Sequence, residues 1–238
     1  MEPPRLALDI WSDIACPWCW VGKRRLEAAL ADFPHRDWVD VRWRAFELDP
    51  MAPPVHPADL DFVARLAGKY GTDRAGAQGM IDRMTRVAAG EGLTMRFDRI
   101  RPGNTFDAHR LLHLGAHEGC QTELKERLFC AYLEEGRAIG DRAVLHELGI
   151  EAGLEPGEVE AVLESDRFAD DVRREERTGQ QLGMTKMPFF VAARTYGVSG
   201  AQPAKVLRTV LDQGWGDVAR VGIEELEAGA SCGVDGCR

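Results

Sequence analysis

The sequence contains no long hydrophobic run and no recognisable signal-peptide pattern. No stretch approaches the ~18 continuous apolar residues that a membrane-spanning helix needs, so we expect no membrane span. Residues 1–20 include Arg5 but lack an apolar core followed by small residues at a cleavage site, which predicts that there is no secretory signal peptide. We therefore expect a cytoplasmic protein, in a compartment where thiols stay reduced and structural disulfides are rare.

Positive charge is also scarce. The 30 lysine and arginine residues are outnumbered by 39 aspartate and glutamate residues, which gives a net charge of −9. With no dominant basic stripe, neither nucleic acid nor an anionic membrane is expected as a partner. No repeat at a fixed period is present, so a solenoid is disfavoured. The 238 residues suffice for one large domain or for one domain that carries an insertion.

The chain does contain six cysteines, two of them three residues apart in Cys16-Pro-Trp-Cys19. An apolar run that suits a β-strand precedes the pair, and a helical pattern follows it at once. If the helix begins at Cys16, Pro17 lies in its first turn, where the missing N–H costs nothing. Both thiols then lie on one face, near enough to form a disulfide, and the positive end of the helix favours a thiolate at Cys16. This arrangement predicts redox chemistry.

The rest of the chain changes its periodicity twice. Strands are predicted at 5–11 and 39–46 on either side of a helix at 18–33, and two more strands, near 185–193 and 196–199, precede a helix at 203–214. Between them the pattern is helical, and Asn104 or Thr105 and Asp141 are candidate N-caps. The predicted helices there are 58–70, 74–91, 105–119, 121–135, 141–153, 156–164 and 166–182.

This order predicts an α/β fold, βαβ…ββα, interrupted by a large all-helical insertion. Because the later strands must join the first two to close a sheet, the two halves form one discontinuous domain. We place this domain at residues 1–57 and 184–220, the helical insertion domain at 58–183, and a C-terminal tail at 221–238.

Four motifs in this order resemble the thioredoxin-like fold of the DsbA family of thiol–disulfide oxidoreductases, and within it the FrnE-like proteins. They are Asp9-Ile-Trp-Ser-Asp-Ile-Ala-Cys16-Pro-Trp-Cys19, Asn104-Thr-Phe-Asp-Ala-His-Arg-Leu-Leu112, Met187-Pro188-Phe-Phe and Tyr196-Gly-Val-Ser-Gly-Ala-Gln-Pro203. The resemblance implies that Cys16 is the nucleophile, Cys19 the resolving thiol and Pro188 a cis-proline that faces them.

The same resemblance suggests what the protein acts on. Met187, where the family more often has valine or threonine, would pair with the substrate backbone, and Trp18 and Phe189 are further candidate substrate contacts. The expected partners are protein or peptide thiols and disulfides, with glutathione or a thioredoxin-type protein as a possible reductant. The expected activity is that of an oxidoreductase or isomerase without a cofactor.

Several other residues have both a functional and a structural interpretation. Asp13 either accepts a proton from a buried thiol or caps the following helix, and His109 either modulates the thiolate or is a structural histidine, which we favour. Trp20 either joins an exposed apolar rim with Trp18 or packs in the core. Cys130 is most simply a small core residue.

A second pair, Cys232 and Cys237, lies in the tail. Glycines at 233 and 236 would let the intervening residues turn back and bring the two sulfurs together. One interpretation is a second redox pair that exchanges with the first and acts in oxidative stress defence. The other is a flexible C-terminus whose cysteines have no role.

Two alternative functions remain open from the sequence. Kappa-class glutathione transferases and hydroxychromene-carboxylate isomerases resemble the same scaffold, although they generally carry serine at the position of Cys16. A zinc-binding or chaperone-like protein is the non-enzymatic alternative, but no metal site is predicted, because a structural zinc needs about four ligands in paired close spacings.

Overall fold

A computed structural model describes residues 4–57, 60–184 and 186–231 of the chain. Its sheet has the strand order β2-β1-β3-β4, where the strands are Leu6–Ser12, Val39–Ala45, Phe189–Ala192 and Tyr196–Ser199 for β1 to β4. The β1–β2 pair is parallel, and β3 runs antiparallel to both of its neighbours. The strands from the two ends of the chain therefore form one sheet, as the sequence predicts.

Helix α1, Pro17–Ala31, connects β1 to β2 and supplies the crossover that a parallel pair requires. Its inner face buries Leu26 and Ala29 in a core with the apolar residues of β1. Strand β1 is buried along almost its whole length, so it holds the start of α1 in a fixed position at the end of the sheet.

The helical insertion begins later than the sequence predicts, because Asp61 caps α2 with a hydrogen bond from the backbone N–H of Ala64. A single turn of π-helix, Ala131–Glu135, continues α5, where the sequence predicts one unbroken helix. The α-helices in the described residues of this segment are α2 Phe62–Tyr70, α3 Arg74–Gly90, α4 Phe106–His117, α5 Gln121–Cys130, α6 Arg142–Glu151, α7 Pro156–Leu163 and α8 Ala169–Gln181.

The largest apolar core includes the helical insertion and the start of α1. Cys16, Cys19 and Trp20 lie in the same buried cluster as Leu111, Leu124 and Phe129 of α4 and α5. The cysteine pair is thus placed where the sheet and the helical segment meet.

The C-terminal helix α9, Ala204–Ser231, is longer than the predicted helix at 203–214 and takes in part of the predicted tail. Gly214 does not end it; a Cβ there would lie 2.9 Å from Ala192 Cβ and 3.0 Å from Leu6 Cδ1. The glycine allows α9 to pack closely against the sheet. No helix in the described part of the chain is both long and apolar enough to cross a bilayer.

Candidate active site

The two cysteines of the Cys16-Pro-Trp-Cys19 motif lie at the N-terminus of α1, as predicted. Cys16 is the N-cap residue in an extended conformation, and Pro17 occupies the first helical position. The backbone N–H of Cys19 donates to the carbonyl of Cys16 at 3.0 Å, which closes the first turn around the pair. Cys16 is 5% exposed and Cys19 is fully buried, so an incoming substrate reaches Cys16 first.

Cys19 is held in its thiol form. Burial raises its pKa well above the usual 9.0, and the hydrogen bond and negative charge of Cys16 raise it further. The positive charge of Lys125 acts in the opposite direction. A fully buried thiol that retains its proton suits a resolving residue, since it attacks only when that proton is removed.

Lys125 is the residue that sequence reasoning missed. It lies on α5, is fully buried, and its Nζ is 3.5 Å from the carbonyl oxygen of Ser12. The ammonium group also faces the rings of Phe129 at 5.1 Å and Trp43 at 5.7 Å. Burial lowers its pKa to about 8, against the partly compensating charges of Cys19, Asp13 and Cys16.

The sequence did contain a signal for Lys125. It stands within an apolar helical stripe of α5 and the following turn, at the spacing that marks a buried face. The apolar members of that stripe are Leu124, Leu128, Phe129 and Tyr132. A lysine in such a stripe is either paired or functional, because burying an uncompensated ammonium group is costly.

Asp13 fixes the loop that precedes the cysteines. Its Oδ2 accepts a 2.7 Å hydrogen bond from the N–H of Leu48, its Oδ1 accepts one from Ala15, and its carbonyl accepts one from Cys16. Burial alone raises the pKa of its carboxyl, but His109 and the Leu48 N–H stabilise the carboxylate more, so the pKa lies below the usual 3.8. Asp13 is therefore a buried carboxylate near the thiols.

His109 of α4 faces Asp13, with Nε2 3.5 Å from Oδ1. Burial lowers the pKa of His109, the charge of Lys125 lowers it further, and Asp13 opposes both. A histidine whose pKa falls below 6.5 is neutral at pH 7. The structure thus brings the two candidate modulators, Asp13 and His109, together with Lys125 beneath the cysteine pair.

Asp13→Asn should destabilise the reduced protein by about 2–4 kcal/mol, since the amide leaves buried groups unpaired and removes a charge that compensates Lys125. Because the folded pKa of Asp13 is lowered, its contribution is present above pH 3.8 and is lost as the pH falls through the folded value. Urea denaturation of both proteins between pH 2.5 and 7 measures the difference. A constant difference over this range would contradict the assigned ionisation.

The Met187–Pro188 peptide bond is cis, as the sequence resemblance implies. The loop lies against α1 one turn after Cys19: a Cβ on Gly22 would approach Pro188 Cγ to 2.6 Å. Met187 is half-buried and packs against the cluster that contains both cysteines. Gly22 therefore permits the close approach that brings this loop to the cysteine pair.

The aromatic candidates differ in their positions. Trp18 is half-buried and lies with Cys16 on the wall of a cavity. Phe189 is 9% exposed and packs against the ring of Trp11 at 6.1 Å, in the core on the sheet. Trp20 is also a core residue, and its Nε1 donates to Glu126 at 3.0 Å. Of these three aromatic residues, Trp18 is the least buried.

Two further cysteines lie at the ends of α5. Cys120 and Cys130 are half-buried in the helical segment, and burial together with nearby carboxylates raises the pKa of both thiols, that of Cys130 to about 11. Cys232 and Cys237 lie outside the described residues. Within the described ranges, no group of three or more histidine, cysteine or acidic side chains is arranged to hold a metal ion.

Comparison with known proteins supports this geometry. The crystal structure of a probable DsbA oxidoreductase from Streptomyces coelicolor has a TM-score of 0.82 and 46% sequence identity, over 89% of this chain and 91% of that one. The cytosolic disulfide reductase DsbM from Pseudomonas aeruginosa, determined with GSH, has a TM-score of 0.60 at 22% identity over 87% and 98% of the two chains, which shows a shared fold.

Two sequence comparisons complete the picture. The uncharacterized protein YwbO of Bacillus subtilis is 28% identical over 191 residues, which are 79% of this chain and 87% of that protein. The DSBA-like thioredoxin domain matches residues 7–212, most of the chain and both halves of the sheet. The chain therefore belongs to the DsbA-like thioredoxin family, and it has the fold of that family's thiol–disulfide oxidoreductases, with a helical insertion.

Proposed function

We propose that this protein is a cytoplasmic dithiol–disulfide oxidoreductase that acts on protein or peptide disulfides through Cys16 and Cys19. The observation that carries the proposal is the arrangement of the pair: Cys16 lies at a helix N-terminus on the wall of a cavity, and Cys19 is fully buried beside Lys125. The membership of the FrnE-like subgroup stays a prediction.

In the reducing direction, the Cys16 thiolate attacks one sulfur of the substrate disulfide. The S–S bond breaks, a mixed disulfide forms, and the other substrate sulfur leaves as a thiolate that takes up a proton. Cys19 then loses its proton and attacks Cys16, which releases the second substrate thiolate and leaves a Cys16–Cys19 disulfide. Two electrons pass to the substrate, and the oxidising direction is the reverse.

The charged groups beneath the pair assist the second half of this sequence. Lys125, with a pKa of about 8, stabilises the Cys19 thiolate once the proton leaves. The carboxylate of Asp13, which its lowered pKa keeps ionised, compensates the positive charge of Lys125, and His109 faces it at 3.5 Å. Isomerisation begins with the same attack by Cys16. It results when another thiol of the substrate, instead of Cys19, resolves the mixed disulfide.

We further propose that glutathione returns the Cys16–Cys19 disulfide to the dithiol. A cytoplasmic glutathione pool is reducing enough for most such pairs, and DsbM, which shares the fold, was determined with GSH. The tail pair, Cys232 and Cys237, stays a prediction as a second dithiol that exchanges with the first under oxidative stress. A glutathione transferase is disfavoured because Cys16 stands where that class generally has serine.

A redox titration tests the proposal. The protein is equilibrated in glutathione buffers, free thiols are alkylated, and each cysteine is located by mass spectrometry. We expect Cys16 and Cys19 to lose their thiols together and reversibly at a potential between about −270 and −120 mV, the range from thioredoxin to DsbA.

Cys120 and Cys130 serve as internal controls and should remain reduced across this range. A simultaneous change at Cys232 and Cys237 would support coupling of the tail pair. Failure of Cys16 and Cys19 to form a disulfide, even in the most oxidising buffer, would overturn the proposed function.

A further inference from the structure

A cavity of about 190 Å³ lies beside Cys16. One wall is the segment that carries the nucleophile, with Ala15, Pro17 and Trp18. The opposite wall is formed by α2 and α3 of the helical insertion. Nothing in the exchange chemistry of Cys16 and Cys19 requires this space, and neither Met187 nor Pro188 of the cis-proline loop lines it.

The interior of the cavity is apolar. Its walls are built largely from Leu66, Ile81, Met84, Phe97 and Tyr132. Three charged lining residues are already engaged, since Asp13 binds the Leu48 N–H and Arg65 donates to Asp49 at 2.9 Å. The fourth, Lys69, is exposed near the end of α2. The cavity is therefore suited to a neutral apolar group.

The mouth of the cavity exposes unusually many apolar side chains. Seven large apolar residues are exposed in the described part of the chain, and three of them, Leu48, Tyr70 and Met80, line this cavity. A fourth, Met51, is 89% exposed and adjoins the lining residue Ala52. Clusters of exposed apolar residues around a concavity mark a surface that binds another molecule.

The size of the cavity indicates what binds. An apolar cavity of about 150 Å³ holds one benzene ring, whereas pockets for drug-sized ligands measure about 300–1,000 Å³. A volume of about 190 Å³ accordingly accommodates one bulky side chain and is too small for a larger organic molecule. The exposed apolar residues at the mouth supply contacts for the neighbours of the residue whose side chain enters the cavity.

We infer that this cavity is a specificity pocket for a bulky apolar side chain, such as phenylalanine, that stands next to the reacting cysteine of a polypeptide substrate. The inference rests on the proposed function and adds its substrate class: disulfides whose cysteine has an aromatic or large aliphatic neighbour. When Cys16 forms the mixed disulfide, the neighbouring residue lies within reach of the cavity, and its burial stabilises the complex.

Two short peptide disulfides test the inference. They are identical except that the residues flanking the cysteine are phenylalanines in one and alanines in the other. The wild-type protein should reduce the phenylalanine peptide with a kcat/KM about 10- to 100-fold higher, as expected from burial of one large apolar side chain.

Filling the cavity should remove this preference. Leu66→Trp on α2 should bring the ratio of the two kcat/KM values close to one. Met80→Trp should also lower this ratio, and because Met80 is exposed at the mouth of the cavity, the fold should tolerate the larger residue there. Ala64→Trp is the matched control, because it places the same ring on the exposed face of α2 and should keep the wild-type ratio.

The outcomes separate the inference from the function on which it rests. Equal rates with the two peptides, or a preference that persists in both Leu66→Trp and Met80→Trp, would overturn the pocket but leave the exchange activity in place. If the wild-type protein exchanges with neither peptide, the proposed function itself is wrong and the pocket with it.

Discussion

Replacing Cys16 with serine should lower the rate of disulfide exchange by at least about 10³-fold, because an alcohol is almost fully protonated at neutral pH and only a thiolate attacks a disulfide at a useful rate. Serine is close in size to cysteine, so the buried cluster around position 16 should keep its packing. The rate is measured by the reduction of a peptide disulfide with reduced glutathione as the electron source.

Cys19→Ser should have a different effect, since the first attack needs only Cys16. The mixed disulfide between Cys16 and the substrate should accumulate and be visible by mass spectrometry without added reductant. Cys120→Ser and Cys130→Ser are matched controls, as both thiols have raised pKa values and lie away from the pair; both should keep wild-type rates. Accumulation of a mixed disulfide on Cys16→Ser instead would reverse the assigned roles.

The order of elements could be predicted from the sequence because the periodicity changes at distinct points. Pro17 marks the start of α1, and the alternating residues at 39–45 mark β2. Helix ends were less predictable where a side-chain cap decides them, as Asp61 does for α2. Gly214 misled the prediction because a glycine that ends a helix and one that allows close packing look the same in a sequence.

The reactive pair and the cis-proline could likewise be predicted, because they belong to local motifs. Asp13 and His109 were candidate modulators as well, but their meeting with Lys125 could not be predicted, because the three come from distant parts of the chain: the loop after β1, α4 and α5. Their relation depends on how the helical insertion packs against the sheet. Phe189 shows the converse, since its place in a motif suggested substrate contact, yet β3 turns its ring toward Trp11.

Lys125→Met should slow the resolution of the mixed disulfide by about 10²-fold at pH 7, within the usual range for loss of a group that assists proton transfer. Without the ammonium group, the pKa of Cys19 rises further above its already raised value, and its thiolate becomes scarcer. Single-turnover measurements separate this step from the first attack. Lys205→Met, which removes an exposed lysine on α9, should leave both steps unchanged, and an equal effect of the two substitutions would contradict a specific role for Lys125.

The same substitution should make the reduced protein more stable, because methionine fills the site without the cost of a buried charge. The pKa of Lys125 falls from 10.5 in the unfolded chain to about 8 in the folded protein, so between these values only the unfolded chain keeps the proton. Below pH 8 the wild type is therefore destabilised by the full cost of the buried charge, about 3 kcal/mol, and this cost disappears as the pH rises toward 10.5.

Denaturation of both proteins from pH 6 to 10.5 should show a higher free energy of unfolding for Lys125→Met at pH 7, and the difference should shrink above pH 8. A gap that does not change with pH would show that Lys125 keeps its ordinary pKa in the folded protein because its charge is fully compensated. Slower resolution together with greater stability at neutral pH would indicate that the buried charge is retained for catalysis at a cost to the fold.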